Sequence, residues 1–218
     1  MKIMNNSLKA ASYGVILQFS SLIKMSFVVG SHMIWFSGAN AIVPLSGAFG
    51  GVLGSAIVFL MRQLLHLLFF KTISLSFLAF CIPGFCASLY WASRHYSIRV
   101  LLPLACMVLF MMHPLGAQVF VYSLYWLIPV ALYFINARSL FLQALGSTFV
   151  AHAVGSVIWL YTVPMTVNKF MVLMPLVLVE RIAFALGMVI AYHLFSFIFR
   201  MIDGLEGKRT TLIHQNIN

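Results

Sequence analysis

Long apolar stretches broken by one or two polar or charged residues run through the whole chain. They occupy about 10–29, 46–69, 72–92, 100–135, 139–161 and 170–200. A helix crosses a hydrocarbon core with about 20 consecutive apolar residues, so each stretch is long enough to span. The stretches are continuous, without the two-residue alternation of a membrane barrel, which makes strands improbable. The pattern predicts an all-α polytopic membrane protein. A single transmembrane helical domain covers 1–202, and a short polar cytoplasmic tail covers 203–218.

Two stretches fit the pattern poorly. Residues 30–45, GSHMIWFSGANAIVPL, are apolar but interrupted by Gly30, Gly38, Asn40 and Pro44. They predict an irregular or partly helical segment near the interface. Residues 100–135 exceed one span and are divided by His113-Pro114-Leu115-Gly116. They form two short spans, or one span plus a re-entrant or interfacial piece.

Charge placement arbitrates. If 100–135 crosses once net, there are six transmembrane helices with N- and C-termini cytoplasmic. Lys2, Lys9, Lys71, Arg138, Arg200, Lys208 and Arg209 then lie inside, and Arg94, Arg99 and Lys169 outside. Cytoplasmic loops are enriched in Lys and Arg, so this arrangement is preferred. A seventh crossing through 100–135 would move Arg138 and the basic tail outside and reverse the bias.

Composition narrows the chemistry. The chain has 218 residues, 63% hydrophobic and 7% charged, with a formal net charge of +10. Soluble domains carry about a quarter charged residues, so neither a soluble fold nor an additional soluble domain fits. The basic residues are scattered singly and form no phosphate-tracking stripe, so nucleic acid is not an expected partner. The only carboxylates are Glu180, Asp203 and Glu206, the last two in the polar tail. A paired-aspartate protease, a multi-carboxylate proton relay and a carboxylate metal site are excluded. Cys81, Cys86 and Cys106 lie in apolar surroundings without a zinc spacing, and read as small buried residues. HExxH, GxSxG and Walker A motifs are absent, so no catalytic residue, metal or cofactor is expected and no ATP site is built in. The retained first helix and the chain's size favour a bacterial inner membrane.

Small residues recur four apart: Gly47, Gly51 and Ser55; Ser147, Ala151 and Gly155; Ala183, Gly187 and Ala191; Ala10 and Gly14. Such ladders allow close helix packing in lipid, internally or against a partner subunit.

Candidate binding residues are the polar groups placed at membrane depth. Glu180 and Arg181 sit about ten residues into the last apolar run, where ionisable groups are costly and face a cavity or a partner. His152 lies mid-span and shares a helical face with Gly155 and Trp159. Asn40 occupies the broken segment, and non-helical backbone at depth is tolerated where it lines a cavity. Gln118 and Trp126, with Tyr122 and Tyr125, follow the His113-Pro114 break. Together, Asn40, Gln118, Trp126, His152, Trp159, Glu180 and Arg181 suggest a substrate pocket opening toward the outer face. Arg62 and His66 lie one turn apart near the inner end of the second span, and Arg62 reads as reaching for the cytoplasmic interface.

The six-helix layout, the small residues of the first helix and the glycine-rich PLSGAFGGVLGSA at 44–56 resemble the substrate-binding S components of energy-coupling-factor vitamin transporters. The resemblance implies uptake of a vitamin-like small molecule, energised by separate ATPases through a transmembrane coupling subunit. It implies docking of that subunit on the first helix, where Ala10 and Gly14 stand in for the family's alanine pair. A membrane scaffold protein, buried against a partner through its ladders, is the alternative. A lipid-modifying enzyme using Glu180 and His152 is a third reading.

Overall fold

The computed structural model describes the backbone of residues 2–21, 24–27, 35–71 and 75–215, and side chains over 9–20, 38–71 and 77–204. The element order is α1 (Lys2–Ser21), β1 (Lys24–Phe27), β2 (Trp35–Ser37), α2 (Ala39–Ile42), α3 (Leu45–Phe70), α4 (Leu75–Ala92), a π-helical turn (Ser97–Leu101), α5 (Leu102–Met112), α6 (Pro114–Gln118), a 3-10 stretch (Phe120–Trp126), α7 (Leu127–Phe134), α8 (Leu140–Thr162) and α9 (Val167–Gln215). Among the described residues, α3, α8 and the Val167–Gly204 part of α9 are long and apolar enough to cross a membrane. The fold is therefore helical, as the apolar runs predict.

Its first part differs from the expected helix over 10–29. Helix α1 ends at Ser21, and β1 pairs antiparallel with β2, Phe27 opposite Trp35. The polar Ser20, Ser21 and Lys24 interrupt the apolar run where the helix stops. The Tyr13 hydroxyl donates to the Ile42 carbonyl at 2.6 Å. By residue 42 the chain is therefore back beside residue 13. Of the broken 30–45 segment, 30–34 lie outside the described residues, and the remainder holds β2 and α2.

The stretch 97–134 also differs from the single net pass favoured by the charge bias. It is a hairpin. At its tip the His113 side chain accepts from the Leu115 N–H and Pro114 opens α6, so α5 stops and the chain reverses. At its base Arg94 Nη2 donates to the Ala137 carbonyl at 3.1 Å, and the Tyr96 and Tyr133 rings meet edge to face. Entry and exit therefore lie at one end of the molecule.

The other helices run up and down beside this hairpin. Gly47 of α3 touches the Ser88 carbonyl of α4 so closely that any side-chain carbon would overlap it. Gly51 has φ 61° and bends α3, so the expected Gly47–Gly51–Ser55 face is a contact followed by a kink. Ser147 of α8 donates to the Ala87 carbonyl of α4 at 2.9 Å, and Gly155 lies 3.6 Å from the Pro83 ring, measured from where its side-chain carbon would sit. These contacts set α4 and α8 antiparallel and close together, as small residues at helix interfaces permit. Thr148 and the Arg181 carbonyl, 3.5 Å apart, join α8 to α9. Lys9 and Asp203 form an ion pair at 2.6 Å, which brings α1 to the far part of α9. The backbone of α9 stays helical through the polar segment to Gln215.

Two apolar clusters fill the interior. One gathers Phe110, Trp126, Phe149 and Leu160. The other gathers Tyr13, Leu45, Met188 and Phe195.

Candidate functional site

A cavity of about 690 Å³ lies against both clusters. Helix α8 supplies Thr148, Ala151, His152, Gly155, Ser156 and Trp159 to it. Helix α4 contributes Phe80, Pro83, Gly84 and Ala87, and α9 contributes Leu173, Val177, Glu180, Arg181 and Phe184. These positions recur three and four apart, so each helix turns one continuous face to the cavity. The volume falls within the range of roughly 300–1,000 Å³ common for small-molecule sites.

Five of the seven residues expected from the sequence line it: Asn40, His152, Trp159, Glu180 and Arg181. They come from three separate elements. Asn40 arrives on α2, which packs on α9, where a side-chain carbon on Gly187 would sit 3.6 Å from Ala41.

His152 is held from both sides. Its Nδ1 accepts the Trp126 indole N–H at 3.0 Å, and its Nε2 lies 2.9 Å from the Tyr122 hydroxyl and 3.3 Å from Ser156 Oγ. An indole nitrogen only donates, so Nδ1 must be the acceptor and Nε2 carries the proton of the neutral ring. Trp126 itself is fully buried and absent from the cavity lining. It is a positioning residue behind the site. Gln118 is elsewhere: it is exposed on α6, and its amide donates to the Pro114 carbonyl at 3.3 Å.

Glu180 and Arg181 pair with each other, Oε2 to Nη2 at 3.4 Å. The side chains reach round the helix to meet despite the ~100° between adjacent positions. The Arg181 guanidinium also lies over the Phe184 ring at 4.9 Å. Neighbouring aromatic groups thus share in stabilising a cation held largely out of water.

Three comparisons, with models of protein families, with curated proteins and with solved structures, give no match. The site is therefore read from its own chemistry.

Sequence reasoning missed Arg62. It turns inward and lines the cavity, with Nη1 4.0 Å from where a side-chain carbon on Gly84 would sit. This corrects the expectation that it reaches for the cytoplasmic interface. The kink at Gly51 re-aims α3, and a kink of that kind has no signature beyond the glycine itself. Phe77, Phe80 and Phe170 were also missed. They sit on apolar helical faces that look the same whether they meet lipid, core or ligand.

Proposed function

We infer that this chain is the substrate-binding membrane subunit of an uptake system, and that a vitamin-sized solute occupies the cavity between α4, α8 and α9. The observation that carries this reading is the convergence of Asn40, His152, Trp159, Glu180 and Arg181 on one mostly apolar cavity of about 690 Å³. Ligand sites combine an apolar wall with a few placed polar groups in this way. Both His152 nitrogens already have protein partners, which favours a binding role over acid–base chemistry, where one nitrogen must reach a substrate atom. Energy comes from a separate ATPase module through a coupling subunit. Ala10 and Gly14 are exposed on α1, and nothing lies within 4 Å of the Gly14 position, so that face is open to such a subunit.

The same reading assigns a topology. The chain makes six passes: α3, α4, α5, the returning segment 114–134, α8 and α9. Helices α1 and α2 lie together on one side of these passes, where Tyr13 meets Ile42. Lys2, Lys9, Arg94, Arg99, Arg138, Arg200, Lys208 and Arg209 then belong to one end, and Lys71 and Lys169 to the other. The basic end is cytoplasmic by the positive-inside rule. Both termini are inside, and the lining residues Thr162, Val163 and Met165 lie at the outer end.

The direct test is mass spectrometry of small molecules released from the purified protein, followed by binding to the variants Ala151→Phe and Trp159→Ala. A stoichiometric solute, displaced when Phe fills the cavity, is the expected result. An empty protein whose variants leave cellular uptake of every solute unchanged would refute the assignment and favour a scaffold. For topology, single cysteines at His95 and Asn136 should both resist an impermeant maleimide in intact cells, whereas one at Thr166 reacts. Labelling of His95→Cys but not Asn136→Cys would restore the single net pass.

A further inference from the structure

Among the described residues, the cavity is lined by more cations than carboxylates. Arg62 and Arg181 both line it. Their contacts reach helix α8 at levels about two turns, roughly 10 Å, apart. Gly84, beside Arg62, is next to Pro83, which packs on Gly155; Arg181 is joined to Thr148, less than two turns along the same helix α8. The chain has only three carboxylates. Glu180 pairs with Arg181, Asp203 pairs with Lys9, and Glu206 follows three residues further along α9. No described carboxylate pairs with Arg62. With His152 neutral, the lining carries two cations and one anion.

An arginine at membrane depth is costly and persists where it meets a partner or a water-filled path. Here the surrounding walls are aromatic and aliphatic: Phe77, Phe80, Trp159, Phe170 and Phe184. They suit a flat, apolar molecular body. A guanidinium fork binds oxyanions through two parallel N–H donors.

We propose that the cavity selects an amphiphilic monoanion, whose single oxyanion is bound by Arg62 and whose ring-containing body lies against Phe80, Trp159 and Phe184. This deepens the proposed solute-binding role and rests on it. A neutral solute would leave the lining with an unbalanced cation, and a dianion would need a second free guanidinium that Glu180 already engages.

The test uses two probes that share one aromatic body. 1-Anilinonaphthalene-8-sulfonate carries one negative charge, and N-phenyl-1-naphthylamine carries none. Saturable energy transfer from tryptophan to each probe is measured on the full chain in lipid nanodiscs, with empty discs subtracted. The sulfonate is expected to bind at least tenfold tighter than the neutral amine. Arg62→Gln should weaken the sulfonate about tenfold or more and leave the amine unchanged, while Arg62→Lys retains most of the preference. Ala151→Phe should exclude both. Equal binding of the two probes, both lost in Ala151→Phe and neither altered by Arg62→Gln, would overturn charge selection and leave the solute site standing. No saturable transfer from either probe would overturn the site as well. Competitors identify the source of the anion. Displacement by 1-naphthoate supports a soluble solute, and displacement by oleate alone would replace it with a membrane fatty acid. Size-exclusion profiles of each variant separate lost affinity from lost folding.

Discussion

Arg99 and Arg62 are both arginines within apolar surroundings, and they are solvated in opposite ways. Arg99 sits at the base of the hairpin. Its Nη2 donates to the Tyr90 carbonyl at 2.8 Å and to Gln143 Oε1 at 2.9 Å, its Nε donates to the Ser93 carbonyl at 3.2 Å, and its guanidinium stacks on the Tyr90 ring at 4.1 Å. Gln143 in turn donates to Ala137, which also accepts from Arg94. The protein thus supplies Arg99 with neutral acceptors in place of a carboxylate, and the charge pins three segments together. Arg62 faces the cavity beside Gly84. A chain with so few acids can hold a cation in apolar surroundings with its own carbonyls, or it can leave that cation facing a cavity. The first use makes a joint and the second makes a site.

Four substitutions test that division. The largest effect belongs to Arg99→Leu. It removes three hydrogen bonds from a charged donor, each worth about 1.5–3 kcal/mol, and leaves buried carbonyls unsatisfied. A loss of roughly 3–5 kcal/mol is expected, read as an early melting transition in detergent; unchanged melting would make Arg99 equivalent to Arg62. Gly47→Val comes next. Its side chain overlaps the Ser88 carbonyl, and the overpacking should cost about 1–3 kcal/mol by forcing α3 from α4, which a crosslink between them would report. Trp126→Phe should cost about 1 kcal/mol for the lost indole hydrogen bond and weaken solute binding severalfold by releasing His152. Loss of stability without loss of affinity would make His152 a packing residue alone. Arg62→Gln is the smallest in stability, within about 0.5 kcal/mol, although it carries the largest expected change in anion affinity. A large drop in its melting temperature would show that Arg62 is a second joint.

Five of the seven expected residues line the cavity, and the signals that marked them were local. Glu180, Arg181 and His152 are expensive at depth wherever the chain folds, so their positions alone marked them. Trp159 followed from its helical spacing to His152. Asn40 followed from the breaks around it. Gln118 lies away from the cavity: a polar residue beside a helix break can face outward, and here its amide is occupied by the backbone four residues earlier. Trp126 also lies outside the lining, for another reason. It belongs to the polar cluster but stands one layer behind it, and distance from a cavity is not a property of spacing along one helix.

The sequence by itself determined the apolar helical runs, the absence of paired carboxylates and the polar groups that had to be sheltered. Those follow from hydropathy and side-chain chemistry, which act residue by residue. The tertiary structure decided that 97–134 returns on itself, that 10–29 is not one helix, and that Arg62 and Arg181 line one cavity. Each of these depends on contacts between segments far apart in sequence: Arg94 with Ala137, Tyr13 with Ile42, and Gly84 with the arginine that a kink at Gly51 brings beside it. Hydrophobic patterning sets which faces are buried, but it is nearly uniform around helices this apolar. Close packing at small residues and hydrogen bonds between segments then choose the partners.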